Sequence, residues 1–215
     1  MNKQKIIIDC DPGQDDAVML LLALACPDVF DIMGITTVAG NVPLDLTQRN
    51  ARIMCELAGK TDVPVFAGCD KPMSHELITA ENVHGKTGID GVDVYEPAMP
   101  LQEQYAVDFI VETLMAAEDD SITLVPTGPL TNIGEALSQQ PGIRPKIREI
   151  VMMGGAMREG GNTTPSAELN ILEDPHAPPL VIQCGRPLTI VPLDVTHQVQ
   201  VSRDRLEQIR AIKSP

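Results

Sequence analysis

Four aspartates fall within the short segment DCDPGQDDA at residues 9–17: Asp9, Asp11, Asp15 and Asp16. Carboxylates packed this closely repel one another unless something neutralises them, and a hard divalent cation with oxygen ligands does so naturally. Zinc is a poor match, because no His or Cys set stands at zinc spacing and Cys10 is the only soft ligand nearby. Asp9 and Asp11 are two apart at the end of an apolar run, so they point to the same side if the strand persists. Pro12 and Gly13 turn the chain. Asp15 and Asp16 then open a long apolar helix, where negative charge suits the positive helix end. Residue by residue a plainer reading stands beside this one: Asp15 and Asp16 favour the helix start and Asp9 accepts backbone hydrogen bonds.

The elements that must position these acids follow from the apolar pattern. Short β-branched runs predict strands at 5–9, 32–38, 63–66, 121–125, 148–153 and 188–193, with helices at 15–26, 43–59, 104–117, 130–139, 174–184 and 202–212. Strands alternating with helices predict an α/β fold: a mainly parallel, Rossmann-like sheet with helices on both faces. The stretch 70–103 is weakly periodic and reads mostly as loop. In such sheets ligands lie beyond the carboxyl ends of the strands. Those ends carry Asp9 and Asp11; Gly40 and Asn41; Thr127 and Gly128; Gly154 and Gly155; and Asp194, Val195 and Thr196. One edge is therefore expected to collect acids, an amide and hydroxyls.

Composition narrows the partners. A net charge of −14 repels phosphate backbones, and no Trp, two Tyr and three Phe leave little to stack on bases, so nucleic acid is not expected. The five cysteines form no C-x-x-C pair and their number is odd, which predicts free thiols in a reducing compartment. The N-terminus meets a charge after three apolar residues, and the longest apolar run, residues 18–26, is too short to span a bilayer. These features predict a cytoplasmic protein with no membrane partner.

Two kinds of enzyme begin with a strand and D-x-D. A haloacid dehalogenase-like phosphotransferase wants Thr or Val two places after the second Asp, where this chain has Gly13. It also wants a later acidic pair, and none follows 121–125 or 148–153. The other kind fits better. DCDPGQDDA resembles the signature of the inosine-uridine nucleoside hydrolases. In the same order as in that family, so do ITTVAGN at 35–41, NVHGKTGIDG at 82–91, ITLVPTGPLTN at 122–132, IVMMGGA at 150–156, SAELNI at 166–171 and LDVTH at 193–197. The loop at 82–91 is most similar to the bacterial pyrimidine-preferring members.

The resemblance implies calcium-dependent hydrolysis of the N-glycosidic bond of ribonucleosides, as in purine and pyrimidine nucleoside catabolism, by a homo-oligomer. Carried over by motif, Asp11 would ligate Ca2+ and act as general base on water. Asp16 would be a second metal ligand, and Thr127 would offer its backbone carbonyl. Asp15 would bind a ribose hydroxyl. Asn41, Asn162, Glu168 and Asn170 would fix the sugar, Met153 would line the pocket, and His84 would lie on the base side. By residue type alone, Asn41 reads as a turn residue, His84 as loop surface, Glu168 and Asn170 as a solvated strand face, and Met153 as core packing.

The sequence also departs from the family. Members continue past residue 215 into a segment with a His-Asp pair and base-stacking aromatics, and these residues are absent here. The expectation is thus a single domain over 1–215, incomplete at its C-terminus, and an impaired or inactive hydrolase. A non-catalytic relative that binds calcium or ribose is the alternative. The second departure is EDPHAPPLV at 173–181, where the family usually reads D-P-E-A-A. Pro175 suits a first helical position, whereas Pro178 and Pro179 remove donors one turn later, so this helix is expected to start late or distort.

Overall fold

The computed structural model describes residues 3–212. Six strands form one sheet: β1 (Gln4–Cys10), β2 (Phe30–Thr37), β3 (Val65–Ala67), β4 (Ile122–Pro126), β5 (Ile147–Met153) and β6 (Leu188–Val191). Their order is β3-β2-β1-β4-β5-β6, and every pairing is parallel. The helices between them are α1 (Gln14–Leu24), α2 (Leu44–Leu57), α3 (Glu81–His84), α4 (Ala106–Ala116), α5 (Thr131–Gln139), α6 (Leu169–Glu173) and α7 (Ala177–Ile182), with a 3-10 turn at Pro141–Lys146; α8 (Leu193–Thr196) and α9 (Arg203–Ala211) follow β6.

Strand β1 shows why the sheet is central. Its alternate residues serve two cores. Ile6 and Ile8 pack with Leu20 and Leu24 of α1 and Ile53 and Met54 of α2. Ile7 packs on the other face with Ile110 and Leu114 of α4 and Ile133 and Leu137 of α5. A strand buried on both faces has to be apolar almost throughout, as KIIID is. Between β1 and β4 the strand order reverses direction, which opens the crevice where α/β sheets bind ligands.

The predicted elements are found, with three differences. The third strand is Val65–Ala67, shorter and later than 63–66. The last strand stops at Val191, because Pro192 has no N–H for the ladder and instead precedes the helical turn α8. Asp194 is therefore not a strand-end residue. Its carboxylate accepts from the backbone N–H of Met157 (2.8 Å) and Arg158 (3.0 Å). Glu168 and Asn170 do not alternate along an extended face. Glu168 caps α6, and its side chain accepts from the backbone N–H groups of Asn170 and Ile171. The late start expected for the helix at 174–184 is observed: α7 begins at Ala177, which puts Pro178 and Pro179 in the first turn, where N–H groups have no intrahelical acceptor.

Candidate active site

All ten residues singled out in the sequence line one recess at the β1–β4 crevice: Asp11, Asp15, Asp16, Asn41, His84, Thr127, Met153, Asn162, Glu168 and Asn170. Leu169 completes it. The open space measures about 380 Å3. Four carboxylates border it, and among the described residues no Lys or Arg does.

Asp11 sits at its base, 1% exposed. Strand β1 has ended at Cys10, so the Asp11 carboxylate occupies the crevice between the β2 and β4 ends. The Asn41 backbone N–H donates to its Oδ2 at 2.7 Å, and Asn41 Nδ2 donates to its carbonyl at 3.0 Å. The Asp11 N–H in turn donates to Asp16 Oδ2 at 3.1 Å. A Cβ on Gly40 would collide with one Asp11 carboxylate oxygen and a Cβ on Gly128 with the other. Two glycines thus make room for the carboxylate, a role that their place beside strand ends only hinted at.

On the opposite wall, Gly155 adopts φ +72°, and its N–H donates to Glu168 Oε2 at 2.8 Å. Asn170 Nδ2 donates to the Thr127 carbonyl (2.9 Å) and the Met153 carbonyl (3.3 Å), which ties α6 to the ends of β4 and β5. Asn162 Oδ1 accepts from the Leu169 N–H at 3.0 Å. These bonds hold the polar side chains in place through backbone partners.

Asp9 takes a different direction from Asp11. It is fully buried beneath the recess, where Asn132 Nδ2 donates to its Oδ1 at 2.8 Å and Thr36 Oγ1 donates to the same atom. Burial pushes its carboxyl up to about 7. The same-side expectation for Asp9 and Asp11 fails because the strand ends between them.

Burial and mutual repulsion hold these acids toward their protonated form. Burial, then Asp16 and Glu173, push the Asp11 carboxyl well above the usual range. Burial, then Asp15, push Asp16 up to about 7. Glu173 was not anticipated from the sequence: its stretch stood out for its prolines. It is fully buried, neither oxygen has a hydrogen-bond partner, and burial followed by Glu168 raises it to about 9.

This donor set suits a hard cation: buried carboxylate oxygens that repel one another, a carbonyl, and no cationic side chain. Among the described residues no three His, Cys, Asp or Glu side chains converge as a ready metal cluster. Such a site therefore draws on carbonyl, water or substrate oxygens as well.

A larger, more apolar recess adjoins the first and shares Asp15, Asp16, His84, Thr127, Met153 and Asn162 with it. Met19, Val83, Val191, Leu193, Val195 and Val199 supply its apolar wall.

The sequence model of the family described as inosine-uridine preferring nucleoside hydrolase matches residues 6–215. An uncharacterised protein of Schizosaccharomyces pombe is 49% identical over 208 residues, covering 97% of this chain and 67% of the yeast protein. The pyrimidine-specific ribonucleoside hydrolase RihA of Photobacterium profundum is 48% identical, covering 98% of this chain and 67% of that enzyme. Among solved structures, a plant nucleoside hydrolase superposes with a TM-score of 0.93 at 33% identity, covering 99% of this chain and 67% of the plant chain. The chain thus spans about two thirds of the length of these relatives.

Proposed function

The chain belongs to the inosine-uridine preferring nucleoside hydrolase family, hydrolases acting on N-glycosyl bonds, and from that premise we propose that its recess splits pyrimidine ribonucleosides with water into ribose and free base. The observation that carries this reading is the single recess that gathers four carboxylates and three amides with no cation among them. The phosphotransferase alternative falls with the family assignment.

Asp11, Asp16 and the Thr127 carbonyl would hold Ca2+, which when bound lowers the pKa of coordinated water and engages ribose hydroxyl oxygens. Asp11, the buried carboxylate at the base of the recess, accepts the proton from the attacking water. The water oxygen bonds to the anomeric carbon, the glycosidic C–N bond breaks, and the departing base takes up a proton. The sugar becomes oxocarbenium-like as the bond breaks, and the flanking carboxylates and amide oxygens stabilise that positive charge. Asp15, Asn41, Asn162, Glu168 and Asn170 orient the ribose, with Met153 against it. The base then extends past His84 toward the apolar wall of Met19, Val83 and Leu193. A pyrimidine preference is supported by the named activity of RihA.

The reading includes a cytoplasmic homo-oligomer. It is supported by five free cysteines, by the absence among the described residues of any helix long and apolar enough to cross a membrane, and by exposed Val18 and Leu22 on α1. Analytical ultracentrifugation checks the assembly.

The test of function is ribose release from uridine, cytidine and inosine, with calcium and with chelator. The expected result is calcium-dependent ribose, faster from the two pyrimidine nucleosides. Ribose from none of the three would contradict the proposal. Turnover near one per second, an ordinary enzyme rate, would retire the expectation of an impaired hydrolase.

A further inference from the structure

Gln14 lies inside the aspartate motif, yet neither the metal nor the sugar uses it. Its side chain makes a short relay. Gln14 Nε2 donates to the Asp90 backbone carbonyl at 3.4 Å, which turns the amide oxygen the other way. That oxygen, Oε1, lies 2.9 Å from His84 Nδ1. A carbonyl oxygen can only accept, so with the amide in this orientation the ring nitrogen facing it has to be the donor. The Gln14 backbone N–H also lies 3.3 Å from Nδ1, but it can bond there only when Nδ1 is bare, and the contact is the longer of the two. Gly13 keeps the ring close: a Cβ there would stand 2.5 Å from His84 Nδ1. With Nδ1 engaged by Gln14, Nε2 is the free nitrogen of a ring that lines both recesses.

We propose that Gln14 is a positioning residue that locks neutral His84 in the Nδ1–H tautomer, so that Nε2 meets the nucleoside as a hydrogen-bond acceptor. The partner on the nucleoside is then a donor: a ribose hydroxyl or the imide N–H of a uracil base. This rests on the nucleoside reading of the recess for the ligand, but not for the tautomer. Which nitrogen bears the proton is set by the bond the other nitrogen makes, so the relay through Asp90 controls the face offered to substrate.

The test is 15N NMR of His84 at a pH where the ring is neutral, followed by uridine titration of the same samples. In the wild-type protein the proton is expected on Nδ1. Gln14→Leu should move it toward Nε2, the tautomer a free histidine side chain favours, and weaken uridine binding about three- to tenfold, as loss of one hydrogen bond does. Gln14→Glu keeps an acceptor oxygen and should retain the wild-type tautomer, which a merely structural role for Gln14 would not require. Companion ligands 2′-, 3′- and 5′-deoxyuridine and 3-methyluridine identify the donor: the Gln14→Leu penalty should vanish for the one that lacks it. Wild-type His84 with its proton on Nε2, or an unchanged pattern in Gln14→Leu, would overturn the proposal. A changed tautomer with unchanged uridine affinity would overturn its substrate half. Failure of wild type to bind uridine at all would strike the nucleoside reading and leave the tautomer result standing.

Discussion

The crevice between β1 and β4 and the outer edge at β6 belong to one parallel sheet, yet they are built on opposite terms. At the crevice, polar side chains are buried and held from several directions. Asn132 alone donates to Asp9 Oδ1 and the Thr37 carbonyl and accepts from the Cys69 N–H. At the outer edge, β6 is half open on both faces, and α9 has no buried residue. Asp194, in the turn after β6, is only half-buried, and its two backbone N–H donors hold its carboxyl below the usual range. Burying uncompensated acids is costly. That the chain concentrates this cost at one crevice marks the crevice as the functional region.

The largest expected effect tests this contrast directly. Asp11→Ala should reduce ribose release from uridine at least ~10³-fold, since on the proposed reading it removes a proton acceptor and a metal ligand together. Asp194→Ala should change it less than about fivefold. Equal losses in kcat/KM from both would erase the distinction between the regions. Next in size is Gly40→Ala. The added Cβ would displace the Asp11 carboxylate, and misplacement of a reacting group by about 1 Å costs on the order of 10²-fold in rate. Unchanged turnover in this variant would show that Asp11 has slack.

Glu173 sharpens the comparison on the stability side. Its carboxyl is at about 9 in the folded protein, against an ordinary value of 4.5. Between those values the folded state binds the extra proton, so stability falls as pH rises, by at most about 1.4 kcal/mol per pH unit from this group. Below 4.5 both states are protonated and the penalty is absent. Glu173→Gln should remove that slope. In denaturant melts without calcium, the variant should gain on wild type between pH 5 and pH 8, by at most about 4 kcal/mol. A difference that stays constant with pH would mean that Glu173 ionises freely in the fold. The smallest effect belongs to the exposed edge: Ile209→Ser on α9 should shift unfolding free energy by no more than about 0.5 kcal/mol.

Much of this was legible in the sequence, for physical reasons. The β1 run announced itself because a strand buried on both faces is apolar throughout. The acids after it stood out because no ordinary core tolerates them. The recess itself followed from motif order, since residues as plain as Asn41 and Met153 carry no signal alone. What stayed hidden depended on where strands stop. Asp9 and Asp11 part company because β1 ends at Cys10, and Asp194 leaves the edge because Pro192 breaks β6. Gln14 and Glu173 were invisible for another reason: their importance lies in contacts with His84 and in the lack of any partner, which only three dimensions reveal.

On the proposed reading, Asp11 and Asp16 hold a divalent cation at this crevice. Titration calorimetry with calcium, on wild type and on the Asp11→Ala, Asp16→Ala double variant, tests it most directly. Saturable heat at micromolar to millimolar calcium is expected in wild type and none in the double variant. Binding heat that survives the double substitution would place the cation elsewhere and contradict the assignment.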